Sequence, residues 1–230
     1  EYAVDNLPAI TSISERDREG AVDFLKRAPS RYTASRADVG SKAHDAFELL
    51  IRGERIGRVD PDIRMHVRHF EEFLDAVNPE LVYAEDIAWS ESVNGREDLG
   101  YAGSFDGIVR IWVREEHGRP VPTPDRSGEP VLLVVDWKTG KSTYPDVALQ
   151  LTAYARAKEL ILTTGERIPM PETDGAAVLH VTDQEWSFKP VDTDTHAFDQ
   201  FLYRRVTYTG DRGASKKVIG KPLASGGRMQ

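Results

Sequence analysis

Cysteine is absent from all 230 residues of the chain. That excludes disulfides, zinc held by thiolates, cysteine-ligated iron–sulfur clusters and a cysteine nucleophile. It suits a reducing compartment, and a cytoplasmic location is the expectation. Long apolar runs are missing too. The longest, 131–135, is strand-sized, far below the roughly 18–20 residues that carry a helix across a bilayer, so no membrane partner is expected. Near the N-terminus Glu1, Asp5, Glu15 and Asp17 interrupt any apolar stretch, and no secretory pattern can be read there. A Gly-x-x-x-x-Gly-Lys-Ser/Thr loop is also lacking, so the chain has no means of its own to drive duplex unwinding with ATP.

What is present reads as a soluble globular protein, with 40% hydrophobic and 30% charged residues. The net charge of −8 argues at first against a nucleic-acid partner, but its distribution is uneven. From residue 203 onward seven basic residues face a single acid: Arg204, Arg205, Arg212, Lys216, Lys217, Lys221 and Arg228 against Asp211. Lys26, Arg27, Arg31 and Arg36 form a second basic run with no acid among them at 26–36. A phosphate backbone responds to such local fields rather than to the total. Arg204, Arg205, Lys216 and Lys217 are accordingly the candidate DNA-backbone contacts.

Hydrophobic periodicity predicts helices over 14–28, 38–52 and 61–77, the last opened by Pro61 and closed at Asn78-Pro79. Period-two alternation follows over 81–90 and 101–114, and 131–135 reads as a strand covered on both faces. Residues 118–130 hold four prolines and read as a surface loop. A helix over 146–162, strands over 176–181 and 186–191, and a helix over 195–208 complete the order. The expected organisation is an N-terminal helical segment (1–37), one α/β domain with a central mixed sheet flanked by helices (38–208), and a basic, flexible tail (209–230). His66, Arg68 and His69 read as a solvated helix face, and His180 as a core residue. Trp89, Tyr101 and Trp112 could stack bases, though strand aromatics usually pack.

The chemistry concentrates in Gly103-Ser104-Phe105-Asp106 and in Asp136-Trp137-Lys138-Thr139-Gly140-Lys141. Asp136 and Lys138, two apart on a strand, point to one face. A carboxylate and an ammonium at the edge of an apolar run carry a desolvation penalty that a surface pair would avoid, and such penalties gather where charges do chemistry. Asp106, on a neighbouring strand, can supply a second carboxylate, and two such groups suit a hard divalent cation. Gln150 and Tyr154 share a helix face, and His44 sits on a helix beside apolar residues. The plainer alternative is a structural ion pair between Asp136 and Lys138.

Taken together, the Gly-x-x-x-His helix (Gly40, His44), the Gly-x-x-Asp strand (Gly103, Asp106), the Asp-x-Lys-Thr-Gly strand (136–140) and the Gln-x-x-x-Tyr helix (Gln150, Tyr154) resemble, in order, the RecB-type branch of the PD-(D/E)XK nuclease superfamily. The resemblance spans roughly residues 38–190. It implies a restriction-endonuclease-like core. Asp106 and Asp136 would bind Mg²⁺ or Mn²⁺ with His44 and the Trp137 carbonyl, while Lys138 orients the attacking water. Gln150 and Tyr154 would position the strand, and Glu85 is the candidate for an additional acid. Members with four cysteines, such as the CRISPR-associated exonucleases, hold an iron–sulfur cluster; this chain lacks the ligands. The function expected from the resemblance is a DNA exonuclease of phage or bacterial recombination, repair or replication, with partner proteins from those processes and with oligomerisation left open. A structure- or sequence-specific endonuclease of the same fold, or an inactive DNA-binding module, are the alternatives.

Overall fold

The computed structural model describes residues 6–218, with side chains described to residue 208. The chain begins with α1 (Leu7–Arg16) and α2 (Arg18–Lys26). The single helix expected over 14–28 is thus divided, because Asp17 leaves helical geometry (φ −149°, ψ 96°) and its carboxylate accepts from the Gly20 backbone N–H at 2.8 Å. This satisfies one of the donors that a helix start leaves open. α3 (Ala28–Ile51) follows as 24 uninterrupted residues, about 36 Å of helix. It passes through residues 37 and 38 without a break, so the expected edge between the N-terminal segment and the α/β domain lies inside one rod.

A short 3₁₀ turn (Pro61–Ile63) leads into α4 (Arg64–Val77), which ends where Asn78 adopts the left-handed region at φ 47°. His66 and His69 are buried on the inner face of α4 beside Phe70 and Phe73. Of the face expected to be solvated, only Arg68 is outside, paired with Glu72. His69 is held inside by a 2.9 Å hydrogen bond between Nδ1 and the Thr182 carbonyl.

The segment expected as one strand over 81–90 is two strands in two sheets, β1 (Glu80–Tyr83) and β2 (Ile87–Ser90). Between them Glu85 takes φ 58°, a conformation disfavoured for a residue with a Cβ, and there the chain swings from one sheet to the other. The span 101–114 divides likewise into β3 (Tyr101–Ser104) and β4 (Gly107–Glu116), with Phe105 and Asp106 at the crossing. Residues 118–130 are not only loop: β5 (Arg119–Pro122) pairs with the far end of β4. Its prolines are tolerated at the edge of the sheet, where a missing N–H leaves no ladder bond unmade. β6 (Glu129–Lys138) runs down the middle. α5 (Pro145–Ala155) stops well short of residue 162; β7 (Glu159–Ile161) and β8 (Arg167–Pro169) form a hairpin around Gly165 (φ +86°). β9 (Gly175–Val181), β10 (Trp186–Val191) and α6 (Thr195–Val218) close the chain. The helix therefore continues ten residues into the expected tail, and residues 219–230 lie outside those described.

The protein is α/β with a mixed central sheet flanked by helices. The six-stranded sheet runs β1-β4-β6-β9-β10, with β5 extending the β1 edge. All its pairings are antiparallel except β6 with β9. The smaller sheet, β3-β2-β7-β8, is antiparallel throughout. Strand alternation sorts the core: Val109, Val135, Ala177 and Leu179 face α3 and α4, while Ile108, Val134, Ala176 and Val178 face α5, α6 and the small sheet. Trp137 lies in the first cluster, edge-on to Phe70 (centroids 5.4 Å, 84°), and Phe70 stacks on Phe47 of α3 at 4.2 Å. Among the described residues no helix is long and apolar enough to cross a membrane.

Candidate active site

β4 and β6 pair from Val113↔Glu129 to Gly107↔Val135. Just before β4 begins, Asp106 lies beside the end of β6, where its carboxylate meets the Trp137 backbone N–H and its charge acts on Asp136. Like charges set opposite each other on neighbouring strands repel, so this juxtaposition has to be maintained by the groups around it. Burial pushes the Asp136 carboxyl above the usual carboxylate range, and the charge of Asp106 pushes it further, against the opposing pull of Lys138.

Three partners hold the pair. Lys138 Nζ sits 2.5 Å from the buried Asp136 Oδ2, a charge-assisted contact that works against the effect of burial on this carboxyl. Asp106 Oδ2 accepts from the Trp137 backbone N–H at 2.5 Å, and its Oδ1 lies 3.3 Å from His44 Nδ1. Because the Trp137 indole is locked into the Phe70–Phe73 cluster, its main chain is a fixed point for Asp106.

His44 reaches the site from the far side of the sheet, carried by α3 around the strand ends. Burial works to lower its pKa, but the hydrogen bond to Asp106 and that residue's charge outweigh it, and the imidazole's pKa is raised from 6.5. A raised histidine adds stability that is complete below its unfolded pKa and is lost as pH rises through its folded one. Stability should therefore decline above pH 6.5 with a contribution that His44→Gln removes; melting temperatures of both proteins across pH 5.5–8.5 test this, and parallel curves would refute it.

One of the two glycines of the sequence pattern acquires a steric explanation. A Cβ at Gly103 would lie 2.6 Å from Tyr154 Cε1 and 2.9 Å from its hydroxyl, so the strand and α5 approach this closely only without a side chain there. A Cβ at Gly40 would make only an ordinary contact, 3.4 Å from Thr139 Oγ1, where α3 passes the end of β6. Tyr154 accepts a 2.8 Å hydrogen bond from Gln150 Nε2, and burial raises its phenol. Gly103→Ala should displace the Tyr154 ring and destabilise the protein by about 1–3 kcal/mol, the usual penalty for overpacking. Urea denaturation measures it, and a change below ~0.5 kcal/mol would show that the ring gives way freely.

Glu85 lies in a cleft of about 420 Å³ with Glu48, His44 and Asp106. The residue as a whole is exposed, yet its carboxyl is raised by partial burial and by the charges of Asp106 and Glu48. Arg204 and Arg205 are not brought to the acids: Arg204 pairs with Asp146 at 2.9 Å, and Arg205 donates to the Asp98 carbonyl at 3.4 Å. Arg204 borders a separate groove beside Gln150 and Tyr154. The side chains of Lys216 and Lys217 lie outside the described residues. Trp89 and Trp112 are half-buried against Arg167 and Arg126, and Tyr101 is buried, its hydroxyl donating to the Ala153 carbonyl at 2.8 Å.

One positioning residue is not evident from spacing. His180, buried as expected of a core residue, lies opposite Lys138 in the parallel ladder, and its Nε2 is 2.6 Å from the Gly140 carbonyl. It pins the turn that follows Lys138. A histidine in an otherwise apolar strand was the available signal.

The donor types fit a hard divalent cation: two carboxylates whose charges oppose each other and an adjacent imidazole. Among the described residues, no three His, Asp or Glu side chains form a closed ligand cluster, so water or substrate oxygens would complete any coordination sphere.

Comparison with protein families finds no matching family model, and no curated protein matches. Among solved structures the chain is similar to SSO0001, with 15% identity, a TM-score of 0.37 and coverage of 87% of this chain and 71% of that one. Similarity at that level carries no argument about function.

Proposed function

We propose that this chain is a metal-dependent deoxyribonuclease with a restriction-endonuclease-like core, resembling the RecB-type branch of the PD-(D/E)XK superfamily. The observation that carries the reading is the convergence of Asp106, Asp136, Lys138 and His44, from the ends of two strands and a helix, around an electrostatically strained pair of acids of which Asp136 is buried. A structural ion pair between Asp136 and Lys138 would explain neither the second acid set against the first nor the histidine brought around the sheet to meet it.

Hydrolysis of a phosphodiester requires a nucleophile to approach an anion and charge to build on the phosphoryl oxygens. When bound, Mg²⁺ or Mn²⁺ supplies positive charge to that phosphate and an acidified water; Asp106, Asp136, His44 and the Trp137 carbonyl are the groups that would hold it. Lys138 lies beside Asp136 and can turn its remaining N–H donors to an incoming water and to a non-bridging oxygen. Tyr154, fixed by Gln150, presents its hydroxyl on the same side of β6 as Asp136. Glu85 is the acid placed to serve at the opposite edge of the cleft. The imidazole favours Mn²⁺ over an all-oxygen site.

Action from DNA ends, in phage or bacterial recombination or replication, is the mode proposed. Digestion of linear DNA labelled at the 5′ or 3′ end, single- and double-stranded, should proceed with Mg²⁺, at least as fast with Mn²⁺, and stop in EDTA. Cutting that persists in EDTA sinks the reading. Nicking of circular single strands would assign an endonuclease instead.

A further inference from the structure

Beyond the turn that follows Lys138 lies a pocket of about 570 Å³ that the proposed chemistry does not use. Its walls come from three places: Tyr32 and Arg36 of α3, His66 of α4, and residues 139–141 together with the β9–β10 turn. Arg36 and Lys141 converge on one point. Their charged ends lie 5.5 Å and 6.0 Å from the Tyr32 ring centroid, and both interact with its hydroxyl. His66 lines the same pocket; it is 4% exposed, and its buried Nδ1 has no hydrogen-bond partner among the described residues. Burial holds this imidazole toward its neutral form, in which Nδ1–H can donate. The same pocket is lined by acids, Asp183 and Glu185 flanking Gln184, and the Asp183 charge acts on His66.

We infer that this pocket holds the terminal phosphate of the DNA strand whose scissile bond reaches Lys138, an assignment that rests on the nuclease reading. Two cations brought to one point suit an anion. A phosphomonoester carries about −1.5 to −2 charges at pH 7, whereas an internal phosphodiester carries one. Asp183 and Glu185 line the same pocket, so the phosphate has to seat against Arg36 and Lys141, and a strand that continued through the pocket would bring a further phosphate against those acids. A chain end avoids that repulsion, and the nucleotide's base can donate to those carboxylates. The basic run at 26–36 thereby gains a specific role through Arg36.

The test is binding in EDTA, where metal-dependent cleavage is silent, using short fluorescent single strands bearing a 5′-phosphate, a 3′-phosphate or hydroxyls at both ends. One phosphorylated form should bind about tenfold more tightly than the hydroxyl form. Arg36→Ala and Lys141→Ala, both at exposed positions that do not threaten folding, should each remove most of that advantage. Equal affinity for all three strands overturns the assignment. So does an advantage that survives both substitutions, or a nucleoside monophosphate that binds at Arg36 while strand ends confer nothing. Cleavage with Mg²⁺ or Mn²⁺ judges the nuclease reading separately: cutting without end preference sinks only the pocket, and end preference without cutting sinks only the nuclease.

Discussion

Replacing Lys138 by alanine should lower the DNA cleavage rate by about 10²–10³-fold, the loss typical of removing one donor that stabilises charge in a transition state, while leaving the protein folded. The second half of that expectation is not automatic. Deleting one partner of a buried ion pair strands the other, often at about 3–5 kcal/mol. Here Asp136 is already displaced toward its neutral form by burial and by Asp106. Without the ammonium it can take up a proton rather than remain a bare buried charge. Lys138 is itself 31% exposed, so its removal opens no core cavity. Single-turnover cleavage and circular dichroism, measured on the same preparation, decide it. An active Lys138→Ala protein would remove the ammonium from the mechanism, and an unfolded one would favour the purely structural ion pair. Lys138→Arg should not restore activity, because a planar guanidinium fork cannot occupy the position of a compact ammonium.

Asp136→Asn should separate function from stability in the opposite direction. The amide has nearly the shape of the carboxylate but neither its desolvation penalty nor its repulsion with Asp106. The variant should melt higher, by about 2–4 °C for each kcal/mol relieved in a chain of this size. Cleavage should nevertheless fall at least ~10²-fold, since a neutral oxygen is a poor substitute for an anionic ligand to a divalent ion. Lys138, freed of its partner, has solvent within reach. Sites that carry electrostatic strain for the sake of chemistry show this trade. A variant that melts lower, or that retains full activity, would mean that Asp136 is an ordinary structural acid.

The candidate site was more legible than the architecture around it, for a physical reason. Asp136 and Lys138 are two apart on a strand, Gln150 and Tyr154 four apart on a helix, and local geometry alone decides that each pair shares a face. Where Asp106 would sit depended on one register, which the apolar alternation of β4 and β6 enforces. What was not legible depended on long-range partners. Nothing local divides 81–90 into strands of two different sheets; the break is made at Glu85, a residue type with no particular liking for φ 58°. The run 159–161 fits a helix or a strand equally well, and it becomes β7 because Lys158 N–H and the Trp89 carbonyl pair at 3.1 Å and β2 lies alongside. His66 and His69 looked like surface because charged neighbours surround them, and only the packing of α4 turns them inward. The Arg36 pocket was invisible because its walls come from segments more than a hundred residues apart.

The unbroken course of α3 bears on how separable the parts of this protein are. Arg36, Gly40 and His44 follow one another at every fourth position along a single helix. Residues 28–37 are therefore no detachable appendage to a self-sufficient catalytic unit. Shortening the chain to begin at residue 38 would discard Tyr32 and Arg36 and leave the histidine-bearing rod with a raw, uncapped start. Exchange of this segment between relatives, in nature or at the bench, would have to cut before Ala28, where α2 ends and the rod begins.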